Sequence, residues 1–423
     1  MTPQALKKLD RELAEYLESL TDGMGRPERR AAMGLYVTGL LLDGERKSIE
    51  PIAARLVART EQVQAMRQRL QQCVVVAEWD AAEVFGRVGR RLDRELPQIE
   101  AFVVDDTGFP KKGKHSVGVA RQYSGTLGRV DNCQVATSLH LAGELGSGCI
   151  GMRLYLPESW TSDRDRCTKA GVPADIELVP KWKIALSLID AALASGIRKH
   201  VVLGDSAFGD VTEFREELTE RGLPYLLHAQ GALVVWPPDT RFAIPPRRVN
   251  KGARPKLEQA PVGIKPLSIS ALAAQLEYKR VTWREGSRGK QASRFAAVRV
   301  RTAHRHCIGR GPGPEQWLLC EWPATEDGPS KFYLSSLPPT TALRELVRLA
   351  KLRWRVERDY QEMKGELGLD HFEGRTWSGF HHHAALCAAA HAFLSLRRAL
   401  FPPEQDFVDS AARPQTPSGA AAP

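Results

Sequence analysis

The chain has 423 residues, more than one hydrophobic core ordinarily serves, so two or three structural units are expected. With 43% hydrophobic and 26% charged residues it has an ordinary globular composition, and its longest apolar runs, such as Val74-Val75-Val76-Ala77, are far too short to span a bilayer. A net charge of +10 favours a polyanionic partner, while seven scattered cysteines, an odd number, argue against a disulfide framework and for a reducing cytoplasm.

The start, Met1-Thr2-Pro3-Gln4, has no apolar core followed by a cleavage site, so no signal peptide is expected. Leu6, Leu9, Leu13 and Leu17 recur at helical spacing, and Arg26, Arg29, Arg30, Arg46 and Lys47 decorate the same region. Residues 1–95 therefore read as a separate helical module suited to DNA binding; a merely solvated basic face fits the pattern equally. The texture changes near Pro97. Ala101-Phe102-Val103-Val104 is an apolar run ended by Asp105-Asp106-Thr107-Gly108, and the segments Ser116 to Ser124, Cys133 to Leu141 and Cys149 to Leu156 read as strands. A helix over Trp182 to Ser195 precedes a buried-type strand, His200-Val201-Val202-Leu203-Gly204-Asp205. Strands, helix, strand predict a mixed α/β sheet over 96–223. Between 224 and 338, prolines and glycines are dense and short strands recur at Tyr225 to His228, Arg280 to Arg284, Phe295 to Thr302, Gln316 to Cys320 and Lys331 to Ser335, which predicts a β-rich insertion with an irregular loop at Pro245 to Lys256. Helical pattern returns over Thr341 to Leu367 and His381 to Leu400, within 339–400. The tail, 401–423, is rich in Pro, Ala and Ser and is expected to be disordered.

Asp106 and Asp205 each end an apolar strand, where a rigid sheet holds a carboxylate at the surface without burying its charge. Asp105 and Asp106 point to opposite faces, so only one of them can share a side with Asp205. Each Asp alone also suits ordinary turn chemistry. A third acid adds weight. In Lys351-Leu352-Arg353-Trp354-Arg355-Val356-Glu357-Arg358-Asp359-Tyr360-Gln361-Glu362-Met363-Lys364, a helix places Arg353, Glu357 and Lys364 within roughly 40° of one another at about 100° per residue. Val356, Tyr360, Met363 and Leu367 form a neighbouring apolar stripe. A carboxylate flanked by cations fits metal binding beside DNA phosphates, though an Arg–Glu pair on a solvated helix has the same spacing. Three carboxylates suffice for two magnesium ions about 3.5–4 Å apart, which stabilise the attacking and leaving oxygens of phosphoryl transfer with no activated Ser or Cys.

These residues together resemble the DDE transposases of bacterial insertion sequences, a group with a ribonuclease H-like core. One large group of them carries a Tyr, Arg, Glu, Lys signature around the third acid. Arg353, Glu357 and Lys364 match its last three positions, while Ala350 stands where Tyr is expected. The family's first acid precedes Thr, as Asp106 precedes Thr107, and the second follows an apolar strand, as Asp205 does. Asp105 to Gly113 and His371 to Arg375 look like one subgroup, and the resemblance covers residues 100 to 400. It implies a ribonuclease H-like mixed sheet flanked by helices, catalytic and metal-binding roles for Asp106, Asp205 and Glu357, and magnesium as cofactor with manganese able to substitute. It also implies an enzyme that cuts and joins double-stranded DNA, element ends to target, in the bacterial cytoplasm, with a homodimer on DNA favoured because two ends must be held together. Arg353 and Lys364 would then contact DNA, as would Lys111, Lys112 and Lys114 in the loop after the first acid. Trp283, in the insertion, is the candidate to stack on a flipped base; packing within its strand is the plainer reading. His381, His382 and His383 would begin the last helix, either near the phosphates or, equally, as partly buried helix-start histidines. A nuclease that cuts without joining, or a non-catalytic DNA-binding regulator, would share much of this sequence.

Overall fold

The structure is a computed structural model describing residues 2–125, 128–244, 257–259, 263–286, 289–303 and 311–400, with the side chains of 284–290 left aside. The irregular loop at Pro245 to Lys256 and the tail 401–423 lie outside the described residues. Five helices precede the first strand: α1 (Pro3–Thr21), α2 (Pro27–Leu41), α3 (Ile49–Leu56), α4 (Val63–Gln71) and α5 (Ala81–Glu95). Their starts are written locally. Thr2 and Asp80 accept the backbone N–H of Ala5 and Ala82, and proline opens α1 and α2, where its missing N–H costs nothing.

Four strands follow, β1 (Ile99–Pro110), β2 (Ala120–Ser124), β3 (Arg129–Gly143) and β4 (Ser147–Leu154), all paired antiparallel through β3. The strand expected from Ser116 begins only at Ala120, because Val117 donates instead to the Arg375 carbonyl at 3.1 Å. Helices α6 (Glu158–Thr161), α7 (Arg164–Lys169) and α8 (Lys181–Ala194) then lead to β5 (Val201–Gly204), which runs parallel to β1. After α9 (Ser206–Gly209) and α10 (Thr212–Glu220), β6 (Tyr225–Ala229) runs parallel to β5. The path β3–β1–β5–β6 is the mixed, helix-flanked sheet that the resemblance implied.

The region read as an insertion supplies β7 (Val234–Trp236), β8 (Leu267–Ser268), α11 (Ile269–Ala273), β9 (Lys279–Gly286), β10 (Gly289–Thr302), β11 (Gln316–Trp322) and β12 (Lys331–Ser335). β12 pairs with β6 and carries the same sheet on through β11 and β10. The helical pattern over Thr341 to Leu367 forms two helices, α12 (Leu343–Leu352) and α13 (Trp354–Gly365), broken at Arg353 although no Gly or Pro stands there. The last helix is α14 (Trp377–Leu400).

Alternation along β1 sends its side chains to two cores. Phe102 and Val104 join α5, α8 and α14, whereas Ala101 and Val103 join α12 and the start of α13. The N-terminal helices do not stand apart as the sequence suggested: they enclose α14. Tyr16 donates to the Ala389 carbonyl at 2.8 Å, and Tyr36 meets Nδ1 of His383 at 2.9 Å. His382 stacks on Trp79 with ring centroids 3.8 Å apart. The expected helix start at His381 is thus corrected, since α14 begins at Trp377, and of the two readings of its histidines the buried one fits, with His382 and His383 buried against the N-terminal helices. Among the described residues no helix is long and apolar enough to cross a membrane.

One close approach seats the turn after β5. A Cβ added to Gly209 would stand 1.9 Å from the His228 carbonyl oxygen of β6, so only glycine lets α9 lie against that strand. Gly209→Ala is expected to cost about 1–3 kcal/mol, read as a lower urea midpoint. An unchanged midpoint would show that α9 is not seated on β6.

Candidate active site

The acids are placed by register. In the parallel pair β1–β5, Val104 lies beside Gly204, the last residue of β5, so Asp205 leaves β5 beside Asp105. The expectation that the first acid also ends its strand is corrected, because β1 runs on to Pro110 with Asp105 and Asp106 paired to Ser138 and Thr137 of β3. A Cβ on Gly204 would meet Val104 Cγ2 at 2.9 Å, which confirms that these two residues share one face and the following two share the other. Asp205 keeps extended backbone angles and turns one carboxylate oxygen onto the N–H of Ala207, 3.0 Å away, capping α9.

Arg353, at the break between α12 and α13, reaches this edge. Its Nη1 is 3.2 Å from Asp105 Oδ2, and its Nη2 is 2.9 Å from Glu357 Oε1. Burial lowers Arg353, but Asp105, Glu357 and Asp205 together outweigh that and raise it. Asp105 is the most strained carboxyl of the group. Burial, opposed by Arg353 and reinforced by the charge of Asp205, pushes it up to about 6. Asp106 points to the opposite face, where Lys181 at the start of α8 holds Oδ2 at 2.7 Å and Thr137 donates to Oδ1 at 2.8 Å. Burial raises Asp106 too, against Lys181 and Thr137, with Asp205 adding to the rise.

Of the three acids singled out in the sequence, Asp106 and Asp205 are close enough to influence each other, and Glu357 is tied to the same edge through Arg353 and Asp105. Among the described residues no three His, Cys, Asp or Glu side chains are arranged to hold one metal ion. The cations are Arg353 and Lys181, and the latter was not singled out in the sequence; its position at the helix start before the second acid's strand was the available signal.

The basic residues divide. Lys364 donates to the Gly108 carbonyl at 2.9 Å, and burial lowers it to about 8. Lys111 is half-buried and donates to the Phe372 carbonyl at 2.7 Å. Lys112 and Lys114 are exposed. Trp283 is half-buried in β9, edge-on to Phe295 at 5.8 Å, with the Lys351 ammonium 4.4 Å from its ring centroid. Ala350, in the place of the signature's Tyr, is buried in the apolar face of α12.

A family model described as DDE superfamily endonuclease matches residues 19–290, more than half of the chain. That stretch contains Asp106 and Asp205 but not Glu357. A protein of Microchaete diplosiphon named "Probable transposase for insertion sequence element IS701" is 29% identical over 194 residues, covering 45% of this chain and 46% of that protein. The chain thus spans about half the length of this curated relative.

The raised Asp105 carboxyl has a consequence for stability. A carboxyl with a raised folded pKa costs nothing below its ordinary value near 3.8, and its cost is complete above about 6. In chelator, wild type should therefore lose stability relative to Asp105→Asn as pH rises from about 4 to 7, by up to roughly 3 kcal/mol. Urea titrations across that window measure it, and a constant difference would rule out a raised carboxyl.

Proposed function

Because the chain belongs to the DDE superfamily endonuclease family, we propose that it is a DNA transposase, cutting insertion-element ends and joining them to target DNA by two-metal-ion phosphoryl transfer. The observation that carries the reading is the meeting of Asp105, within β1, with Asp205 at the end of β5 and the Arg353–Glu357 pair of the third helix element, with Asp106 next to it on the opposite face. The donor set suits a hard divalent cation. It offers only carboxylate oxygens; burial raises both β1 acids, Asp205 adds to the rise, and Arg353 and Lys181 oppose it. Asp106, Asp205 and Glu357 would hold magnesium, or manganese in its place, which would supply charge stabilisation for the attacking and leaving oxygens. Arg353 and Lys364 border the same edge and can bind a phosphate there. Exposed Lys112 and Lys114, with Lys111 behind them, extend a cationic loop along which a DNA backbone can run. Trp283 retains enough exposure to stack on a base. Residues 1–95 complete the DNA grip, and a dimer would hold two ends together.

The Asp-Thr pairing favours Asp106 as the first acid. A second reading gives that role to Asp105, because it shares the face and the arginine of Glu357. Asp205→Asn and Glu357→Gln should each lower magnesium-dependent cleavage about 10²–10³-fold or more while DNA binding persists. Wild-type cleavage in either would remove the proposed site. Comparing Asp105→Asn with Asp106→Asn in the same assay assigns the first acid to the variant with the larger loss. Strand transfer of labelled element ends separates a transposase from a nuclease that cuts without joining.

A further inference from the structure

Glu357 sits on a short helix, α13, which follows α12 through Arg353, a residue with helical backbone angles (φ −55°, ψ −28°). α13 is cut from α12 at Arg353, and no side chain caps its first turn. Two residues along a helix are separated by about 200°, so Asp359 lies nearly opposite Glu357. The side chain of Glu357 is 66% exposed and that of Asp359 is 3% exposed. One rotational setting produces both facts.

Asp359 is fastened at both oxygens. Oδ2 meets Nδ1 of His140 in β3 at 2.7 Å, and Oδ1 accepts the hydroxyl of Ser147 in β4 at 2.6 Å. His140 Nε2 is 3.0 Å from Ser138 Oγ, which lies 2.5 Å from the hydroxyl of Tyr360, the next residue of α13. His391 of α14 stands 3.8 Å from Asp359 Oδ1. Ser138 is the strand partner of Asp105, so the buried chain of polar groups runs from β4 through α13 to the position beside the β1 acids.

Such a network is an inefficient source of stability. Well-packed apolar residues of similar volume often replace a buried ion pair at no cost. What they do not provide is a directional anchor, since an apolar helix face can rotate or slide by a fraction of a turn. We propose that Asp359, with His140 and Ser147, is a positioning group that fixes the rotation of α13 and so holds Glu357 toward the acids of β1 and β5; this rests on the function proposed above.

The test uses the full-length protein. Asp359→Asn keeps the shape of the side chain and removes its charge. Expected are unchanged DNA affinity, turnover lower by roughly 10–100-fold, and a higher magnesium concentration for half-maximal cleavage. In metal-free protein, amide exchange should quicken selectively across 354–365. Ser147→Ala, which spares the pair with His140, should move each readout the same way by less. Turnover that falls only with the folded fraction, with the magnesium midpoint and α13 exchange unchanged, overturns the inference. If Asp359→Asn does not fold, Ser147→Ala and Tyr360→Phe carry the test, and wild-type midpoints in both overturn it. Glu357→Gln is run alongside. Cleavage by it overturns the proposed function and the positioning together, whereas loss of cleavage with wild-type behaviour in the folded Asp359 and Ser147 variants overturns the positioning alone.

Discussion

Strands β1 and β5 run parallel with Val104 beside Gly204, and that pairing sets where acids from distant parts of the chain can stand. Parallel strands need a long crossover, here the hairpins β2–β4 and helices α6–α8, so the two carboxylate-bearing strands are far apart in sequence yet about 4.8 Å apart across the ladder. β5 is buried up to Gly204, the residue before its acid, whereas β1 carries its two acids mid-strand, with buried Val104 before them and buried Thr107 after them. The chain therefore delivers Asp205 to the edge of the core but keeps Asp105 and Asp106 largely inside it, where burial works against their charge.

Crowding carboxylates at such an edge is unfavourable unless positive charge is supplied. The protein supplies it from opposite sides of the sheet. Arg353 approaches from the α12–α13 break to Asp105 and Glu357, and Lys181 approaches from α8 to Asp106. Burial, with the charge of Asp205 added to it, outweighs this compensation, so both β1 acids stay raised, Asp105 to about 6. An edge with residual demand for positive charge is one that further cations can stabilise, and this is the physical content of a divalent-metal reading.

Much of this was legible in the sequence because it depends on local pattern. An apolar run ended by Asp gave β5 and the first half of β1, which runs past its acids to Pro110, and the strand at Lys331 to Ser335 appears with the boundaries read from its alternation. Other features depend on contacts that no local pattern encodes. The break at Arg353 has no Gly or Pro to announce it. Lys181 meets Asp106 from 75 positions away, which is visible only once α8 is laid on the sheet. The N-terminal helices read as a separate basic module because their apolar face is partnered by α14, through contacts 303 to 373 residues apart. The same holds for Asp359, which sits in a charged run and reads as solvated until His140, 219 residues distant, is found against it.

The break at Arg353 and the buried anchor at Asp359 are complementary. A continuous helix from Leu343 would have its rotation fixed by the apolar face of α12, and Glu357 would follow wherever that face dictated. Arg353 keeps helical angles at the break and serves two carboxylates at once, but an interrupted helix holds the rotation of α13 less firmly than a continuous one would. A directional network at Asp359 removes that freedom again, and does so from the buried side, leaving the outward face of α13 to Trp354, Glu357 and Gln361. The cost is a charge pair in the core; the return is an exposed carboxylate whose orientation is set by buried hydrogen bonds and stays fixed when solvent, salt or a ligand changes around it.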